Sequence, residues 1–213
     1  MELSKLTETK IVKAAELLFY QKGKAGTSMQ DIADEAGITR TLLNYYFRSK
    51  DKLFEAVFRT AMERFVPALA EMLHSNMPFS EYLPGMIETM IDTLIENPHI
   101  PVFVLQELSS NPGRMAQIIK EMGINSEVAM EKLISNADFV NLPFDPRHAI
   151  MNVISLCIFP FASRPVVQEV IFGGDEEAYL QGMKDRKKIL PEMILKFMNP
   201  SSLSSDYISG DKT

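Results

Sequence analysis

Two short helical patterns lie between residues 28 and 47, separated by a turn of only three to four residues, and few folds accommodate such a pair. Ser28 is followed three residues later by Asp31, the spacing of a capping box, while Met29, Ile32, Ala33 and Ala36 repeat at i, i+3, i+4 and i+7. Gly37 stops this helix, Ile38 plugs the turn, and Thr39 caps a further helix running from Arg40 to about Tyr46. Before the pair, a helix is expected from Thr7 to Gly23 with Ile11, Ala15, Leu18 and Phe19 on its apolar face. After it, Ser49 caps a helix whose Leu53, Phe54, Val57, Phe58, Ala61 and Phe65 face a core.

The same periodicity runs through the rest of the 213 residues, with few β-branched runs, so the chain is expected to be all-α. Turn signals at 76–78, 97–98, 111–113, 142–146 and 173–175 divide it into about five more helices, about nine in total. Ser201 to Thr213 is Ser-rich and aperiodic, and residues 200–213 are expected to form a flexible tail. Composition is that of a soluble globular protein, 46% hydrophobic and 23% charged. The apolar stretch from Ile150 to Ala162 is too short and too interrupted for a bilayer span, and MELSKLTETK lacks the apolar run of a secretory leader. A cytoplasmic protein without a membrane partner is the expectation. Cys157 is the single cysteine, which excludes an internal disulfide and a Cys-rich zinc site.

Net charge is −6, unevenly distributed: residues 1–60 hold ten Lys and Arg against eight Asp and Glu, +2, leaving −8 beyond. That mild asymmetry favours an anionic partner at the N-terminal end. In a helix-turn-helix the second helix enters the major groove with its N-terminal side chains toward base edges, and Arg40 and Thr41 occupy that end. Arg40 matches the acceptors of guanine and Asn44 the edge of adenine. Lys50 stands in the first turn of a helix, where a cation opposes the macrodipole, and a phosphate beside it would remove the conflict. Thr27, Ser28 and Thr39 offer hydroxyls or free N–H groups at helix starts, and Tyr45 and Tyr46 lie at the far end of the second helix of the pair.

The segment TSMQDIADEAGITRTLLNYYFRSKDKLF, residues 27–54, resembles the DNA-binding signature of the tetracycline-repressor (TetR) family at Thr27, Ile32, Ala33, Ala36, Gly37, Thr39, Tyr46, Phe47, Ser49, Lys50 and Leu53. Thr41 stands where the family usually has Gly and Asn44 where it often has Tyr; both changes fall on base preference. The resemblance implies a DNA-binding domain at 1–48 and a ligand-binding and dimerisation domain at 49–199. It also implies that Tyr46 and Lys50 hold the phosphate backbone, and that the chain is a regulator, most often a repressor, released by a small molecule from a pseudo-palindromic operator in double-stranded DNA. By the same resemblance an effector pocket lies within Phe79 to Phe161, with Tyr82, Met86, Met90, Phe103, Gln106, Glu107, Met122, Cys157 and Phe161 as candidate lining. Twelve of the 14 Met and nine of the 13 Phe follow residue 60, as an adaptable apolar cavity or a plain core requires.

The helix at about 149–161 is apolar nearly all round, and Met183, Leu190 and Phe197 recur every seven residues in the last helix. The resemblance reads Ile150, Ile154, Met183, Leu190 and Phe197 as a homodimer interface. Two other functions compete, a helical protein-interaction module without DNA binding and an all-α enzyme. Against an enzyme, the three His are scattered, and no HExxH, glycine-rich phosphate loop or GxSxG elbow occurs. No catalytic residue, metal or cofactor is therefore expected.

Overall fold

The computed structural model describes residues 2–64, 77–123, 126–136, 138, 139 and 144–198. Among them it contains eleven helices and no strand: α1 (Glu2–Gly26), α2 (Met29–Glu35), α3 (Arg40–Tyr46), α4 (Lys50–Met62), α5 (Phe79–Glu96), α6 (Ile100–Ser110), α7 (Pro112–Glu121), α8 (Ser126–Ser135), α9 (Arg147–Ala162), α10 (Arg164–Ile171) and α11 (Glu176–Met198). The all-α class stands, but two stretches read as single helices are each divided. Gly123, at φ 94°, separates α7 from α8. Pro165 opens α10 just after Ser163, and α9 and α10 meet at a bend of 77°. α1 starts at Glu2 rather than near Thr7, and Gly23 kinks it at φ 67° before a last turn to Gly26.

Contacts divide the described residues into two compact units, those within 1–64 and 102–115, and those within 65–101 and 116–213. The first unit has Ile11, Ala15, Phe19, Ile32, Leu43, Leu53 and Phe58 at its centre, all but removed from solvent. Phe103 sits in an aromatic group with Tyr20, Phe54 and Phe58 at centroid distances of 5.0, 5.1 and 5.9 Å. Arg114 reinforces the segment 102–115 from its far end, its Nη2 lying 3.2 Å from Glu55 Oε2.

The core of the second unit is built by α5, α9 and α11 with Phe139, and includes Leu83, Ile87, Ile91, Val153, Tyr179 and Leu190. α5 follows Pro78, which offers no capping side chain. Asn136 Oδ1 instead accepts from Phe79 N at 3.4 Å, and Asp138 Oδ2 from Ser80 N at 2.7 Å. Within α9, Pro160 lacks the N–H that would bond the carbonyl of Leu156. Arg186 Nη2 donates to that carbonyl at 2.8 Å.

No single helix among the described residues is long and apolar enough to cross a membrane. Phe65 and the tail at 200–213 lie outside the described residues.

Candidate nucleic-acid interface

The caps of α2 and α3 and the turn between them close within a few residues of chain. Ser28 Oγ accepts from Asp31 N at 3.1 Å, and Asp31 Oδ2 accepts from Ser28 N at 2.8 Å. These bonds hold the Asp31 carboxyl below its ordinary range. At the other end of α2, Gly37 adopts φ 60°, its N–H donates to Asp34 O at 3.0 Å, and Ile38 N donates to Ala33 O at 3.0 Å. That pattern is a Schellman closure, and it requires a left-handed residue at Gly37. Thr39 Oγ1 then accepts from Leu42 N at 3.2 Å, opening α3. Ser49 does the same for α4 through Lys52 N at 3.2 Å.

Thr27 is buried, and its hydroxyl lies 3.2 Å from Leu18 O and 2.9 Å from Gly23 O. Its side chain therefore anchors the junction of α1 and α2. Lys50 Nζ donates to Thr27 O at 3.0 Å, fixing the start of α4 to that junction. An ammonium has three donors, so two remain for another acceptor.

The outward side of α3 carries Arg40, Thr41, Asn44 and Tyr45, all exposed, with Tyr45 at 80%; Leu43 and Phe47 anchor the opposite side. Tyr46 is half-buried, its ring 5.5 Å from that of Tyr45 and its hydroxyl 3.4 Å from Ser4 Oγ. Ser28 and Thr39 are accessible, so their helix starts are open to an anion. Arg48, which sequence reasoning passed over, is exposed between α3 and α4. Among the described residues neither Arg40 nor Arg48 pairs with a carboxylate, whereas Lys24 pairs with Asp51 and Lys52 with Glu55. These two unpaired cations lie at the ends of α3.

The candidate effector residues do not form one group. Met86, Cys157 and Phe161 are buried in the core cluster of the second unit, and Tyr82 and Met90 pack against it. Met122, in the same unit, is half-buried. Phe103, Gln106 and Glu107 belong to the first unit: Phe103 lies in its aromatic group, Gln106 is exposed, and Glu107 is buried with Asn111 Nδ2 donating to its Oε1 at 3.1 Å. Burial pushes the Cys157 thiol up to about 12, so it stays protonated and serves as an apolar side chain.

The candidate interface residues also divide. Met183 and Leu190 are buried against the chain's own core and Ile150 partly so, while Ile154 and Phe197 are exposed. Ile154 is joined in exposure by Met151 and Phe159 on α9, and Phe197 by Ile189 and Met193 on α11. The open stripe of α11 thus runs 189, 193, 197 rather than 183, 190, 197. No group of three or more His, Cys, Asp or Glu suited to a metal occurs among the described residues.

Capped helices of this length meeting at a glycine turn, with an outward face of polar and aromatic side chains and free cations at its edges, define a helix-turn-helix DNA-binding regulator. Residues 11–57 match the family model described as bacterial regulatory proteins, tetR family. The chain is similar to the Probable HTH-type transcriptional regulator YttP of Bacillus subtilis, 25% identical over 184 residues that cover 83% of this chain and 87% of YttP. It is 39% identical to the HTH-type transcriptional regulator TtgR of Pseudomonas putida over 57 residues, 27% of each. The structure of the regulator FadR from Bacillus subtilis in complex with stearoyl-CoA shares the fold, with a TM-score of 0.60 at 16% identity, covering 92% of this chain and 98% of that one. Residues 11–57 thus carry the DNA-binding domain of the tetR family, and the chain is a DNA-binding transcriptional regulator like the relatives it resembles.

Proposed function

We propose that the protein is a homodimeric, cytoplasmic repressor that leaves a pseudo-palindromic operator when a small, largely apolar molecule enters the second unit. The observation that carries this reading is the outward face of α3, exposed and flanked by unpaired Arg40 and Arg48. Residues 1–48 act as the DNA-binding domain and 49–199 as the ligand-binding and dimerisation domain. Arg40, Thr41, Asn44 and Tyr45 face the bases. Tyr46, Lys50 and the helix starts at Ser28 and Thr39 hold phosphates, and Thr27 acts through the Lys50 contact rather than touching DNA. Dimerisation uses the exposed apolar side chains of α9 and α11, including Ile154, Ile189, Met193 and Phe197. A two-fold pair of recognition helices then reaches successive major grooves about 34 to 36 Å apart.

The effector class is supported by the largely apolar cluster holding Met86, Cys157 and Phe161, and by the stearoyl-CoA bound in the FadR structure of the same fold. The lever is α4, which carries Lys50 at its start and holds Phe103 and Arg114 through Phe54, Phe58 and Glu55. Ligand must bind the released geometry more tightly than the DNA-bound one, and by reciprocity DNA weakens ligand binding by the same factor. The test is the mobility shift of the purified chain on upstream genomic DNA, with its mass by light scattering. A dimer that shifts specific fragments and is released by long-chain acyl compounds agrees with the proposal. A stable monomer at micromolar concentration, or a saturating ligand that leaves operator affinity unchanged, contradicts it.

A further inference from the structure

The outward face of α3 has two chemically different flanks. Successive residues turn by about 100° around a helix, so with Leu43 and Phe47 inward, Thr41 and Tyr45 form the outward crest. Arg40 and Asn44 lie along one flank, and Leu42 lies along the other. Leu42 is 39% exposed although it belongs to a seven-residue helix with a well-formed core side. Its backbone N–H is held by the Thr39 hydroxyl, which fixes where the side chain leaves the helix. Tyr45, three residues on, stands beside it on the crest with an exposed ring braced edge-on against Tyr46.

A base-pair edge in the major groove presents hydrogen-bonding atoms and one apolar group, the C5-methyl of thymine. A polar flank of Arg40 and Asn44 suits the former, and an exposed branched alkyl group suits only the latter. On the reading that α3 enters the major groove, we propose that Leu42 is a specificity-determining residue that reads a thymine methyl, with the Tyr45 ring walling the contact. Each half-site then contains one thymine recognised by its methyl group, independently of the bases met by Arg40 and Asn44.

The test separates this contact from the groove reading on which it rests. The full chain selects binding sites from randomised duplex DNA, and each thymidine of the selected site is replaced in turn by 2′-deoxyuridine, which removes the methyl and nothing else. The expected result is a loss of about fourfold in affinity at one position per half-site, the scale of burying one methyl group. Leu42→Ala binds the thymidine site about as weakly, is indifferent to deoxyuridine at that position, and keeps the helical circular dichroism of the parent, while Leu42→Met retains part of the discrimination. The proposal is overturned if no methyl removal affects the parent, or if Leu42→Ala is as sensitive as the parent. In either case a changed site preference for Arg40→Ala leaves the groove reading standing. Failure of the chain to select any sequence removes both.

Discussion

The helix-turn-helix pair caps its helices from within a few residues, whereas the second unit combines such local caps, at Asp145 and Asp175, with bonds to partners far along the chain. Ser28, Thr39 and Ser49 each accept from the N–H three residues ahead, and Gly37 and Ile38 return bonds to the helix they have just left. In the second unit α5 and α9 begin after Pro78 and Pro146, neither of which caps with a side chain. The first N–H groups of α5 are met by Asn136 and Asp138, 57 and 58 residues further on, and the carbonyl freed by Pro160 is met by Arg186, 30 residues from Leu156. A unit closed locally keeps its shape as long as its own few residues are kept. Bonds closed at a distance depend on several helices being assembled together.

The largest expected effect lies at the distant closure. Phe79 is buried at the start of α5, 4.9 Å from the Phe139 ring, so Phe79→Ala removes both core volume and the anchor of the long-range cap. A loss of about 3 to 5 kcal/mol in urea denaturation is expected, and a loss near that of a surface truncation would break the comparison.

The caps themselves sharpen it. Asp138→Ala leaves the partly buried Ser80 N–H unpaired, at a cost of about 1 to 3 kcal/mol. Ser28→Ala releases the Asp31 N–H to water and costs about 1 kcal/mol. The two variants compared by urea denaturation should keep that order; the reverse order would mean that the local cap matters more.

The smallest effect is the pH dependence of the local cap. The folded Asp31 carboxyl lies below its ordinary value of 3.8 because Ser28 donates to it. Its contribution to stability is therefore complete above the ordinary carboxylate range and disappears as pH falls through the lowered folded value. The stability gap between the parent and Asp31→Asn, measured by urea denaturation at pH 7 and again near pH 3, should narrow in acid. A gap that widened would reverse the sign.

This difference in span also explains what could be read from the residues alone. The capping box of Ser28 and Asp31, the stop at Gly37 and the caps Thr39 and Ser49 were legible because donor and acceptor are three residues apart and the chemistry of each is unambiguous. The break at Gly123 and the bend before Pro165 were not, since an isolated Gly or Pro is compatible with a continuing helix. Thr27 illustrates a further limit: its hydroxyl was legible as a helix-start group, but its burial depends on α1 folding back so that Leu18 and Gly23 reach it. Period alone likewise selected Met183, Leu190 and Phe197, and only the packing of α5, α9 and α11 reveals that Met183 and Leu190 face inward.

The most direct test of the DNA-reading role assigned to α3 compares Arg40→Ala, Lys50→Ala and Tyr46→Phe on the selected operator and on a random duplex at one fixed salt concentration. Arg40→Ala is expected to weaken operator binding by about 1 to 3 kcal/mol, alter the preferred base at one position, and leave random-duplex affinity close to that of the parent. Lys50→Ala and Tyr46→Phe should weaken both duplexes alike, because a phosphate contact is blind to sequence. Equal weakening of operator and random duplex by Arg40→Ala, with the base preference unchanged, would contradict the account by moving Arg40 from the bases to the backbone.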